Sequence, residues 1–61
     1  MTFSLIFPRG DGTVALLKAT AVDGIVERWT TTTLLGDSVA LHSHEMWAAA
    51  ALISHEARRL Q

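Results

Sequence analysis

Ser43-His44-Glu45-Met46-Trp47-Ala48-Ala49-Ala50-Ala51-Leu52-Ile53-Ser54-His55-Glu56-Ala57-Arg58-Arg59-Leu60 is the stretch whose reading decides the fold. It holds neither glycine nor proline, and alanine, which fills Ala48 to Ala51, has the highest helix propensity of any residue. Ser43, or less favourably Ser38, is placed to cap the N-terminus. Glu45 falls in the first turn and Arg58 and Arg59 in the last, each at the end where the helix dipole favours its charge. Met46, Ala49, Ala50, Ile53, Ala57 and Leu60 recur on one face at helical spacing. The stretch reads as one amphipathic helix whose alanines let it sit close to a neighbouring layer.

The residues before it are punctuated differently. Pro8-Arg9-Gly10-Asp11-Gly12 is a turn cluster, Asp23-Gly24 a hairpin dipeptide and Gly36-Asp37 a third break. Between the breaks lie segments of strand length. Phe3, Leu5 and Phe7 alternate with Ser4 and Ile6, the period of a pleated strand. From Thr13 to Ala19, Val14 and Leu16 share one face and Ala15, Leu17 and Ala19 the other. Ile25 to Leu34 is rich in β-branched and aromatic residues, among them Val26, Trp29 and Thr30 to Thr33, which suit strands and are poor helix formers. Val39 to His42 reads either as a short fourth strand or as the lead into the helix. The expectation is an α+β fold: an antiparallel three- or four-stranded meander followed by one C-terminal amphipathic helix packed on the sheet, a single domain over residues 1–61.

Composition narrows the function classes. A chain of 61 residues builds one core, and 49% hydrophobic with 18% charged residues is too apolar for intrinsic disorder. A net charge of −1 argues against a dedicated nucleic-acid binder, and the lack of cysteine removes disulfide and thiolate chemistry. No basic segment precedes the apolar start at Phe3. The longest apolar run, Met46 to Ile53, is far shorter than the roughly 20 residues of a membrane span. A soluble, cytoplasmic chain is expected.

Three strings invite chemistry. Gly36-Asp37-Ser38-Val39-Ala40-Leu41-His42-Ser43-His44 resembles the opening of the cupin metal motif: a glycine, five residues, then His-x-His. That resemblance implies two imidazoles on one strand face sharing a metal. It ends after nine residues. Ala48 and Ala49 stand where a cupin carries glutamate, and a cupin barrel needs far more strand. If the helix already includes His42, the pair diverges by about 200°. No metal and no cofactor are expected. Ser-His-Glu occurs at 43–45 and again at 54–56, three helical turns apart and on one side. Adjacent helical residues point in different directions, so neither copy assembles a nucleophilic triad, and His44 and His55 stand about 16 Å apart along the axis. The repeat reads as a polar stripe and a contact edge. Arg9-Gly10-Asp11 spells the integrin-binding tripeptide, yet it is accounted for as a turn using Gly10 and Gly12 for positive φ.

The tryptophans separate by position: Trp29 belongs to the core, while Trp47, off the apolar stripe, belongs to a contact surface. Trp47 and Leu52 flank the stripe on opposite sides, and the strands carry apolar residues on both faces, of which one helix can cover only one. The expected function is a small non-enzymatic protein-binding module, an inhibitor or regulator that masks a surface of a larger protein complex. Small, compact, cysteine-free chains of this kind are common among the regulators and inhibitors encoded by phages and mobile elements, including anti-defence proteins. Trp47, Leu52, His44, His55 and Arg58 are the expected partner-binding residues, and a homodimer with Trp47 near its interface is expected. The rival expectation is a dimeric DNA-binding regulator or antitoxin-like protein in which Arg28, Arg58 and Arg59 gather to meet phosphate.

Overall fold

In the computed structural model, which describes residues Met1–Gln61, the middle strand organises the rest. The strands are β1 (Thr2–Pro8), β2 (Val14–Val22) and β3 (Ile25–Thr32), and they form an antiparallel sheet in the order β1-β2-β3. One helix, α1 (Ser43–Arg59), follows and packs on the sheet, so the α+β meander-plus-helix architecture is the observed one. Along β2 the alternation is strict. Ala15, Leu17, Ala19 and Ala21 are buried beneath the helix, while Val14, Lys18 and Val22 are exposed on the opposite face.

Small residues on both layers set the spacing. Ala49, Ile53 and Ala57 of α1 meet the alanines of β2, and the core closes around Phe7, Ala15, Leu17, Ala19, Ala49 and Ile53. Leu17 and Ile53 are the two largest side chains wholly inside. Full burial of such a side chain stabilises by about 1.5–3 kcal/mol, so two of them carry much of so small a core. The helix lies over β2 and β3, which leaves β1 at the margin, with Phe3 and Leu5 only half-buried.

The β2–β3 turn is Asp23-Gly24, with φ of 52° and 80° at its two residues. Positive φ at both central positions is the type I′ geometry that matches the twist of a hairpin. In the β1–β2 turn only Gly12 takes positive φ (87°), and Gly10 does not, contrary to the expectation from sequence. The turn is fastened instead by Asp11, whose Oδ1 accepts from the Thr13 backbone N–H at 3.0 Å and from the Thr13 hydroxyl at 2.6 Å.

Two expected boundaries move. β3 ends at Thr32 rather than Leu34, and Val39 to His42 is not a fourth strand. After the Gly36 turn the returning chain makes a single bridge, Thr32 to Ser38, and the Val39 N–H donates to the Thr31 carbonyl at 3.2 Å. The residue flanking α1 is His42, in extended backbone, not Ser43 or Ser38. The reason lies three residues on: the Glu45 carboxylate reaches back and accepts from the His42 backbone N–H at 2.9 Å, the acidic arm of a capping box. One further feature marks β3. Ala19 pairs Trp29 and Thr20 pairs Arg28, but Ala21 pairs Val26, so Glu27 is an extra residue and the strand bulges there.

Candidate functional site

The first turn of α1 and the β1–β2 turn are locked together by charge. Arg9 Nε donates to Glu45 Oε2 and Arg9 Nη2 donates to Glu45 Oε1, each at 2.8 Å, a bidentate pair with both side chains largely withdrawn from water. The Arg9 hydrogen bond, reinforced by the His42 N–H, holds the Glu45 carboxyl down at about 2. Glu45 is the one buried charged residue, and sequence reading assigned it only a dipole role. Its signal was the three-residue offset from the cap. The partner, far away in Arg9-Gly10-Asp11, had none.

That pairing disposes of the tripeptide as a display loop, since its arginine is bound within the chain and its aspartate fastens Thr13. Beside it, the His42 and His44 rings stack with centroids 5.7 Å apart and planes within 8°. They do not diverge by the helical angle because His42 lies outside the helix. Arg9, Asp11, His42, His44 and Glu45 line a small polar concavity.

The expected contact residues divide into three. Trp47 is 81% exposed and borders a hollow that also touches Trp29, Ser43, Met46 and Ala50. Met46, expected on the buried stripe, is instead about half-exposed at 49%. It lines a second, adjoining groove of about 430 Å³ with Trp29, Thr31, Val39, Ala40 and Leu41. Trp29 packs against the core and also lines both hollows. Sequence reading missed this groove because Val39 to Leu41 come beside Trp29 only through the single bridge after β3. None of the residues lining the two hollows bears an ionisable group.

His44, His55 and Arg58 are exposed, as expected of a solvent-facing stripe, and none of them lines the tryptophan hollows. Leu52, 46% exposed, belongs to the other flank: five residues of helix place it about 140° round from Trp47, on the side of β1. Arg28 lines a polar depression with Thr2, Lys18, Thr20, Trp29 and Thr30, whereas Arg59 is bound to Glu56 at 2.6 and 2.9 Å.

The fold thus defines the class, a three-stranded meander with one covering helix, and the surface offers an uncharged tryptophan-lined groove. Comparison with protein-family models, with curated proteins and with solved structures finds no match to this chain. No helix is long and apolar enough to cross a membrane.

Proposed function

We propose that the chain is a small, non-enzymatic, cytoplasmic protein-binding module that masks a surface of a larger protein complex, as inhibitors and regulators carried by phages and mobile elements do. The observation that carries this reading is Trp47, 81% exposed, next to a half-exposed Met46 and a groove lined by Trp29. Tryptophan and methionine are the residues that interface centres favour, and contiguous apolar surface on a small protein marks a contact site. The groove is free of ionisable groups, so the complementary partner surface is an uncharged apolar projection from a protein. Of the charged groups beside the first turn of α1, Arg9 is engaged by Glu45 and Asp11 by Thr13.

The test begins with affinity capture and continues with purified components. A captured protein supports the reading only if direct titration shows Trp47→Ala weakening its binding by at least about thirtyfold, the loss of a hot-spot residue. Equal binding by wild type and Trp47→Ala would remove the groove from the argument.

A second reading has its own observation. On the uncovered sheet face, Lys18 and Arg28 stand among Thr2, Thr20 and Thr30, donors suited to phosphate oxygens. A dimeric DNA-binding regulator or antitoxin would use that face. Duplex binding that falls steeply with salt and is lost in Lys18→Ala together with Arg28→Ala favours it over the protein-binding module.

A further inference from the structure

The two edges of the sheet are unlike. β3 carries Glu27 and Arg28, bulges at Glu27, and has Ser38 and Val39 laid against its last residues. Those are the devices by which sheets protect an edge from pairing with other chains. β1, Thr2-Phe3-Ser4-Leu5-Ile6-Phe7-Pro8, has no charged residue, no bulge, and a proline only at its last position. It pairs with β2 on one side and with nothing on the other.

Hydrogen-bond alternation says which groups face out. Met1 and Ala21 exchange both backbone bonds at 2.8 Å, and at the far end the Arg9 N–H donates to the Thr13 carbonyl at 2.8 Å. In an antiparallel ladder the inward-bonding residues alternate, so Phe3, Leu5 and Phe7 bond β2. The N–H and C=O groups of Thr2, Ser4 and Ile6 are directed away from the sheet. The side chains next to that edge are also incompletely covered: Phe3 and Leu5 on the helix side, Ile6 at 56% exposure on the other, and Leu52 on the adjacent flank of α1.

We propose that β1 is the docking edge for a second copy of this chain, joined β1 to β1 in antiparallel fashion about a two-fold axis at Ser4. In that register Ser4 faces the second copy's Ser4, and Thr2 faces Ile6 twice over. All three outward N–H groups of each strand then find carbonyls, giving six backbone bonds. On the helix side Phe3 meets Leu5, again twice, so apolar surface is set against apolar surface. Pro8 falls beyond the ladder, where its missing N–H costs no bond. A register centred on Leu5 would set Pro8 opposite Thr2 and forfeit a donor.

Charge argues for self-pairing: a strand without charge meets no repulsion from its own copy, whereas β3 would place Arg28 and Glu27 at the joint. The area sets the strength. Seven strand residues a side are far fewer than the roughly 20–30 of a standard interface, and the Leu52 flanks add to them only at the margin. The pair therefore forms in the micromolar range and above. Trp47, on the opposite flank, stays outside this joint. This is the homodimer expected from the sequence, carried by β1 in place of Trp47, and it is independent of what the tryptophan groove binds.

The test is sedimentation together with residue-resolved amide exchange on the full chain, from about 1 μM to 1 mM. Mass should double with concentration, and the Thr2, Ser4 and Ile6 amides should slow at least about tenfold in step with it. Ser4→Glu should stay monomeric with an unchanged circular dichroism spectrum. Its new carboxylate lies across from Lys18 within the chain, where it is tolerated, and across from itself in the pair. A chain that is monomeric at 1 mM overturns the proposal. So does a dimer whose three β1 amides exchange freely, or one that Trp47→Glu dissociates and Ser4→Glu does not. Should Ser4→Glu fail to fold, the wild-type exchange pattern alone decides.

Discussion

Arg9 and Glu45, 36 positions apart in sequence, meet through two parallel N–H···O bonds of 2.8 Å and so tie the β1–β2 turn to the start of α1. The same carboxylate closes the helix cap by accepting from the His42 N–H. One side chain thereby fixes where the helix begins and where it sits on the sheet.

This pairing gives the fold an acid limb. The Glu45 carboxyl is held at about 2 against an ordinary 4.5, chiefly by the Arg9 hydrogen bond. A depressed folded value contributes stability that is complete above the unfolded value and is lost as pH falls through the folded one. Wild type should therefore lose stability between about pH 4.5 and pH 2. Glu45→Gln should be less stable at neutral pH, show a shallower slope over that window, and converge on wild type near its lower end. Urea unfolding at stepped pH checks this; parallel curves for the two proteins would contradict it.

Ile53 is 1% exposed at the centre of the helix–sheet contact. Ile53→Ala should cost about 2–5 kcal/mol, enough to threaten a domain of this size. A denaturation midpoint shift worth less than about 0.5 kcal/mol would show that the alanine-rich layers close over the gap.

Trp47 contributes surface, not core. With 81% of it exposed, Trp47→Ala should change stability by no more than about 0.5 kcal/mol. Its fluorescence, isolated by comparison with that variant, should resemble tryptophan in water and shift to the blue only when a partner binds.

The stacked His42 and His44 rings invite a metal test. Zinc or nickel should leave the melting temperature unchanged, and His42→Ala combined with His44→Ala should make no difference to that result. A saturable one-equivalent rise that vanishes in the double variant would restore a metal role.

What sequence could disclose here was local. The alternation in Phe3, Leu5 and Phe7, the Asp23-Gly24 turn and the stripe of Ala49, Ile53 and Ala57 are each set by neighbours within a few residues, and each is where it was expected. What it could not disclose was long-range. The helix cap fell to His42 because Glu45 serves the backbone directly, and Glu45 is buried because Arg9 arrives from another element. Met46 is half-exposed and lines the groove beside Trp29 with residues Val39 to Leu41, which only the long-range fold brings there. Neither arrangement leaves a trace in periodicity. The exposure of Trp47 was legible from its angle on the helix. Its neighbour across the hollow, Trp29, was not.

The bulge at Glu27 carries a consequence for the size of any assembly. Because β3 is charged, kinked and partly overlaid by Ser38 and Val39, each chain has one strand edge open to pairing, not two. A pair joined through β1 consumes both open edges and presents β3 at each end of a six-stranded sheet. Growth then terminates at two copies and cannot run on into a cross-β filament. Excising Glu27, which would straighten β3 and remove one of its charges, should weaken that limit and leave only Arg28 and the Ser38–Val39 overlay to oppose further growth.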